Sequence, residues 1–146
     1  MKFEKLIKDT KRKWQRCSPA KPEALLALKG ASEVKLPEDY LTFLSLSNGG
    51  EGEIPVQPLW FQIWPAEMVL EHNKGYEVSV NLPGFWAFGS NGGGEMLAFD
   101  TREGGPWRIM SVPFIPMDAD EAVLIAKDFM SFVSLMGKSE NEASEK

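Results

Sequence analysis

The chain has 146 residues, 43% hydrophobic and 25% charged, which suits one globular domain with one core and excludes a disordered chain. Apolar runs such as Ala122 to Ala126 fall far short of the ~20 residues of a membrane-spanning helix, and the N-terminus MKFEKLIKDTKRKW mixes charge with apolar residues, unlike an export signal. The formal charge of -5 is uneven: Met1 to Lys21 carries eight basic residues against Glu4 and Asp9, +6 in all, which leaves -11 on the remainder.

Phe3, Leu6, Ile7 and Trp14 recur at helical spacing, which predicts an N-terminal helix with Lys5, Lys8, Lys11 and Arg12 on its solvated face. SPAKPEALLALKG, with two prolines and a closing glycine, predicts a connector holding a short turn of helix. Leu36 to Leu46 predicts a well-marked helix. Pro37 sits at its start, Glu38 and Asp39 favour the positive end of its dipole, and Tyr40, Phe43 and Leu44 form a buried stripe. Asn48, Gly49 and Gly50 then supply residues that tolerate positive φ at a helix end. Glu51 and Glu53 are expected on a loop, as a solvated turn or as a rim of negative potential for a partner.

A strand from about Leu59 to Trp64 is expected near a sheet edge, because Pro55 and Pro58 precede it. A short helix follows from Pro65 through Leu70 toward His72, ending at Asn73 or Gly75. Phe85 to Phe88, Met96 to Phe99 and Trp107 to Val112, separated by glycine-rich turns, predict an antiparallel meander. Ser90 to Gly94 is a hairpin turn and not a phosphate cradle, since Glu95 and a strand follow where a cradle needs Lys, Ser or Thr opening a helix. Asp100 to Glu103 leads into a second turn at Gly104 and Gly105. Finally, Met117 to Met136 predicts one long core-facing helix, capped by Asp118 or Asp120, with Ala122, Ile125, Phe129, Phe132 or Val133, and Met136 on its buried face. Capping accounts for Asp118, Asp120 and Glu121 without a metal. Beyond Gly137 a disordered tail is expected.

Catalytic chemistry finds little footing. Cys17 and His72 are single and carry no recognisable pairing, which also excludes an internal disulfide and a Cys/His zinc cluster and points to a reducing, cytoplasmic setting. Carboxylate pairs such as Glu95 with Asp100 leave an acid-based enzyme as a third reading. No cofactor is expected. A body of -11 repels phosphate backbones and attracts cationic proteins, so nucleic acid and membrane are not the expected partners; an acidic chain also serves plain solubility.

LPEDYLTFLSLSNGGEGE, IWPAEMVLEHNKGY, LPGFWAFGSNGGGEMLAFD, VPFIPMD and IAKDFMSFV together resemble, in order, the SUKH superfamily, in the branch similar to the yeast Smi/Knr cell-wall regulator. The resemblance covers roughly Leu36 to Leu135. It implies an α+β fold, with helices packed against a twisted, mainly antiparallel sheet. The domain spans residues 1–137, of which 1–35 are a basic helix and connector, and 138–146 form the tail. The resemblance also implies a non-catalytic protein. Bacterial relatives are typically immunity proteins that neutralise polymorphic or contact-dependent toxins, often nucleases, and the fungal branch supplies regulatory scaffolds, which is the alternative reading here. The expected partner is a cognate toxin with a basic surface. Glu51, Glu53, Glu95 and Glu103 are the expected charged rim, with Trp60 and Trp107 as anchors or as core residues.

Overall fold

The computed structural model describes residues 2–9 and 13–140. Helix α1 (Lys2–Lys8) leads to strand β1 (Trp14–Arg16), then to α2 (Pro22–Ala31) and α3 (Glu38–Leu46). Strands β2 (Gly50–Glu53) and β3 (Trp60–Ile63) precede α4 (Ala66–Gly75) and the short α5 (Val78–Asn81). The meander β4 (Phe85–Ser90), β5 (Glu95–Asp100) and β6 (Arg108–Pro113) follows. A single 3-10 turn (Ala119–Glu121), β7 (Val123–Ala126) and α6 (Phe129–Leu135) complete the chain.

The seven strands form one sheet in chain order, and every neighbouring pair is antiparallel. The fold is therefore α+β, as the sequence implied. Tyr40, Phe43 and Leu44 of α3 are fully buried, and the Tyr40 ring meets Phe99, Phe129 and Phe88 edge-on at 5.3, 5.5 and 5.8 Å. Each such pair adds about 0.5–1.5 kcal/mol beyond burial. On the opposite face Met96 pairs with Val112 and Ala98 with Met110, and these are buried too. The sheet is thus covered on both sides around β5, with α4 and α5 packed against β4.

The sheet narrows between β3 and β4. Only Gln62 and Ile63 find strand partners, Ser90 and Gly89, and Trp64 adds one bond to Phe88. Beyond that point the buried Asn73 of α4 takes over. Its Nδ2 donates to the Ala87 carbonyl at 2.8 Å, and its Oδ1 accepts from the Ala87 N–H at 3.0 Å. A side-chain amide thus substitutes for a peptide group and satisfies a strand edge that would otherwise be buried unpaired.

Several expectations need correction. Met117 to Met136 is not one helix. Asp118 accepts from the Asp120 N–H to close the 3-10 turn, Val123 and Leu124 pair with Ser111 and Met110 of β6, and Asp128 caps a separate helix by accepting from the Ser131 N–H at 2.8 Å. The β-branched residues Val123 and Ile125 favour the strand, and the second capping aspartate restarts the helix. Trp14 does not belong to the N-terminal helix: it opens β1, stacked on Phe43 at 5.8 Å. Of the expected solvated face, Lys11 and Arg12 lie outside the described residues. The connector holds a ten-residue helix rather than a short turn. Strand β3 is interior, with β2 and β4 on either side. Most of the expected tail, residues 141–146, lies outside the described residues.

Glu51 and Glu53 lie on strand β2, not on a loop. The glycines that alternate with them, Gly50 and Gly52, make room for Trp14. A Cβ on Gly50 would lie 2.6 Å from Trp14 Cζ3, and one on Gly52 would lie 2.6 Å from Trp14 Cβ. No side chain fits in either place, so the run GGEGE is a seat for an indole.

Candidate functional site

Alternation along the first three strands decides what faces out. Trp14, Gly50, Gly52, Phe61 and Ile63 turn toward the helices, so their neighbours turn the other way. The outward set is Gln15, Glu51, Glu53, Trp60 and Gln62, brought together by the register Gln15 with Glu51, Glu51 with Gln62, and Glu53 with Trp60. Trp60 remains 41% exposed, and its Nε1–H donates to Glu51 Oε2 at 3.3 Å. One indole is thereby tied to Glu51 and lies in register with Glu53. The β4–β5 turn comes alongside it, since a Cβ on Gly92 would lie 3.9 Å from Trp60 Cδ1.

Helix α4 forms a wall to this face. Between them runs a groove of about 420 Å³, with Gln15, Glu51 and Gln62 on its floor and Trp64, Met68 and His72 along its side. The wall is fixed by Asn48, whose Oδ1 accepts from the Ala66 N–H and whose Nδ2 donates to Glu67 Oε1, each at 2.8 Å. That amide bond, foremost, holds the Glu67 carboxyl below the usual carboxylate range. His72 is not an isolated surface residue: its ring lies 4.4 Å from Trp64 and 5.9 Å from Tyr76. Tyr76, itself 43% exposed, continues the row to Phe114 at 4.6 Å. Trp64 and His72 therefore give one side of a polar floor an aromatic border, which Tyr76 and Phe114 continue beyond the groove.

The six residues singled out from the sequence do not form one rim. Glu51, Glu53 and Trp60 share the open face. Glu95 begins β5 opposite Pro113, beside the turn that Trp60 touches. Glu103 and Trp107 lie in the β5–β6 connection, at the far end of a six-residue strand, about 17 Å away at 3.4 Å per residue. Glu103 approaches Arg108 at 3.7 Å, and Trp107 packs on Phe99 at 5.8 Å while lining a separate cleft with Glu38, Asp39 and Asp128. Burial, and then the charge of Asp128, raise the Asp39 carboxyl above its ordinary value there. The same strand length separates Glu95 from Asp100, too far for two carboxylates to act on one bond. Asp100 is in any case engaged by Arg102 and Arg108.

Sequence reasoning overlooked Gln15, Gln62 and the His72–Tyr76 border. The alternation in GEGE and WFQI carried the signal for Gln62, and only the pairing of β1 with β2 could place Gln15. Among the described residues no group of three or more His, Cys, Asp or Glu side chains could hold a metal ion, and no helix is long and apolar enough to cross a membrane.

A comparison with curated proteins finds no match. A family model described as the SMI1 / KNR4 family (SUKH-1) matches residues 19–135. That span runs from just after β1 to the last residue of α6, and so includes six of the seven strands and every helix but α1. The groove, apart from Gln15 and Cys17, lies within it. With most of its length matched, and with the fold that its motifs implied, the chain belongs to the SMI1 / KNR4 family (SUKH-1).

Proposed function

We propose that this chain is a non-catalytic binding protein of the immunity type, which docks on a toxin with a basic working surface and occludes it. The observation that carries this reading is the exposed Trp60, hydrogen-bonded to Glu51 and paired in register with Glu53 on the outward face of the sheet. A large, rigid aromatic ring with carboxylates around it suits a cationic protein surface: the ring supplies desolvated contact and a face for Arg or Lys, and the carboxylates steer the approach. The acidic body, -11 outside the N-terminal segment, raises the encounter rate with such a partner. The exposed, unpaired thiol of Cys17 suits a reducing cytoplasm.

The test is co-expression with a candidate toxin that has a basic working surface, scored as survival, together with titration calorimetry on the purified pair. Trp60→Ala is expected to weaken binding by more than tenfold, since aromatic anchors of this kind cost about 2 kcal/mol or more when truncated. Glu51→Lys with Glu53→Lys is expected to slow association and to reduce its salt dependence. Circular dichroism verifies that the variants fold. Full protection by both variants would remove this face as the docking surface. Wild-type protein that neither protects nor binds, but retains cellular proteins of other functions, would instead favour the regulatory scaffold.

A further inference from the structure

The two edges of the sheet are not alike. At the β1 edge the chain beyond α6 closes in: Gly137 donates its N–H to the Glu53 carbonyl at 2.7 Å, and a Cβ on it would lie 2.9 Å from the Lys13 nitrogen. At the other edge, among the described residues, β7 pairs with β6 alone. Its residues include no charge, proline or glycine, the usual devices that keep an edge strand from pairing. Val123 is 51% and Leu124 54% exposed, and Met130 on the adjoining α6 is 36% exposed. Three of the eight large apolar side chains exposed among the described residues thus fall between Val123 and Met130, on or next to this edge.

We propose that β7 pairs antiparallel with β7 of a second copy of this chain, extending the sheet through a two-fold axis at Leu124. The charges select the occupant and the direction. Asp118, Asp120 and Glu121 precede the strand, whereas the end that follows it carries Lys127 beside the α6-capping carboxylate of Asp128 and is close to neutral. Antiparallel pairing lays the acidic end of each copy beside Lys127 of the other, whereas parallel pairing stacks carboxylate on carboxylate. Symmetry then fixes the register. A two-fold axis perpendicular to a sheet keeps each side chain on its own face, so facing residues share parity and the axis passes through a residue. Ile125 is 8% exposed and lies where the register with β6 shifts, so it is committed inward. Leu124 keeps regular pairing with Met110, and an axis there sets Leu124 on its own counterpart and Glu121 toward the second copy's Lys127. A strand of four residues buries little surface, so the association is concentration-dependent.

Sedimentation velocity over a concentration series, with amide hydrogen exchange at Val123 to Ala126, tests this. The wild-type mass is expected to rise toward twice that of the single chain, with β7 amides protected in step. Leu124→Lys is expected to hold the single-chain mass throughout, with an unchanged circular dichroism spectrum. Lys127→Glu is expected to weaken association roughly tenfold, because each contact occurs twice across the axis, and adding Glu121→Lys to it is expected to restore association. A wild-type chain that stays single at every concentration would overturn the proposal, as would a Leu124→Lys variant that still doubles. A single chain whose β7 amides become protected only when a second protein is added would overturn it in favour of a foreign strand on the same edge.

Discussion

Asn73 and Ala87 are joined by two hydrogen bonds of 2.8 and 3.0 Å, in which a helix side chain copies the donor and acceptor of a missing strand. The same Nδ2 also donates to the Val69 carbonyl within α4 at 2.9 Å, so both of its protons are used. Asn73→Ala leaves the N–H and C=O of Ala87 without partners in a fully buried strand. The expected cost is about 2–4 kcal/mol, from two orphaned groups. It is read from urea unfolding, and faster amide exchange at Ala87 separates it from a general loss of packing.

Gly52 faces the Trp14 seat. Gly52→Ala forces either the β2 backbone or the indole to move, because the added carbon would meet Trp14 Cβ at 2.6 Å and Phe61 at 3.3 Å. Overpacking of this kind costs about 1–3 kcal/mol. A lower denaturation midpoint with shifted tryptophan fluorescence is the expected result.

Among the described residues the Tyr40 hydroxyl has no hydrogen-bond partner, although it is fully buried. Burial pushes its phenol well above the ordinary value. Tyr40→Phe removes an unsatisfied polar group and keeps the ring in its edge-on contacts, so it is expected to leave stability unchanged or raise it by up to ~1 kcal/mol. Urea midpoints decide; a loss of more than that would reveal a partner for the hydroxyl.

Asp100 is held by Arg102, whose Nε and Nη2 donate to its two oxygens at 2.9 and 3.0 Å, and by Arg108 at 3.4 Å. The bonds from Arg102, foremost, keep its carboxyl below the usual range although burial opposes them. Because the folded value lies below that of the unfolded chain, near ~3.9, the stabilisation is complete above the unfolded value and is lost as pH falls through the folded one. Asp100→Asn is expected to cost about 1.5–3 kcal/mol at neutral pH, with the gap to wild type closing in acid. Midpoints measured from neutral to acidic pH test the sign: a gap that does not change with pH would contradict it.

Much of the fold is legible in the sequence where local signals are complete. Helix α3 has a proline, two carboxylates and an apolar stripe in the right order, and its chain reversal is made by Gly49 and Gly50, with φ of 104° and 144°. The β4–β6 meander has apolar runs between glycine turns. The end of the chain misleads because Ala122, Ile125 and Phe129 fit helical spacing equally well. Only the presence of β6 as a neighbour, a tertiary fact, makes a strand of Val123–Ala126. Gly50 and Gly52 read as looseness because nothing nearby in sequence announces that Trp14 lies over them. For the site, Glu51, Glu53 and Trp60 come together through one hairpin, which strand alternation encodes. The separation of Glu103 and Trp107 from them depends on which end of β5 each turn occupies, and residue types do not carry that information.

Strand order that follows chain order has a consequence for biosynthesis. Each strand from β2 onward can be laid against its predecessor as the polypeptide leaves the ribosome, without waiting for distant sequence. The aromatic interior is finished only by α6, which supplies Phe129 and Phe132, and by Gly137, which fastens the C-terminal end to Glu53. A nascent chain halted before α6 would therefore leave Phe61 and Phe88 without the Phe132 ring, and Phe88 and Phe99 without the Phe129 ring, and quality-control proteases would meet it as an unfinished product.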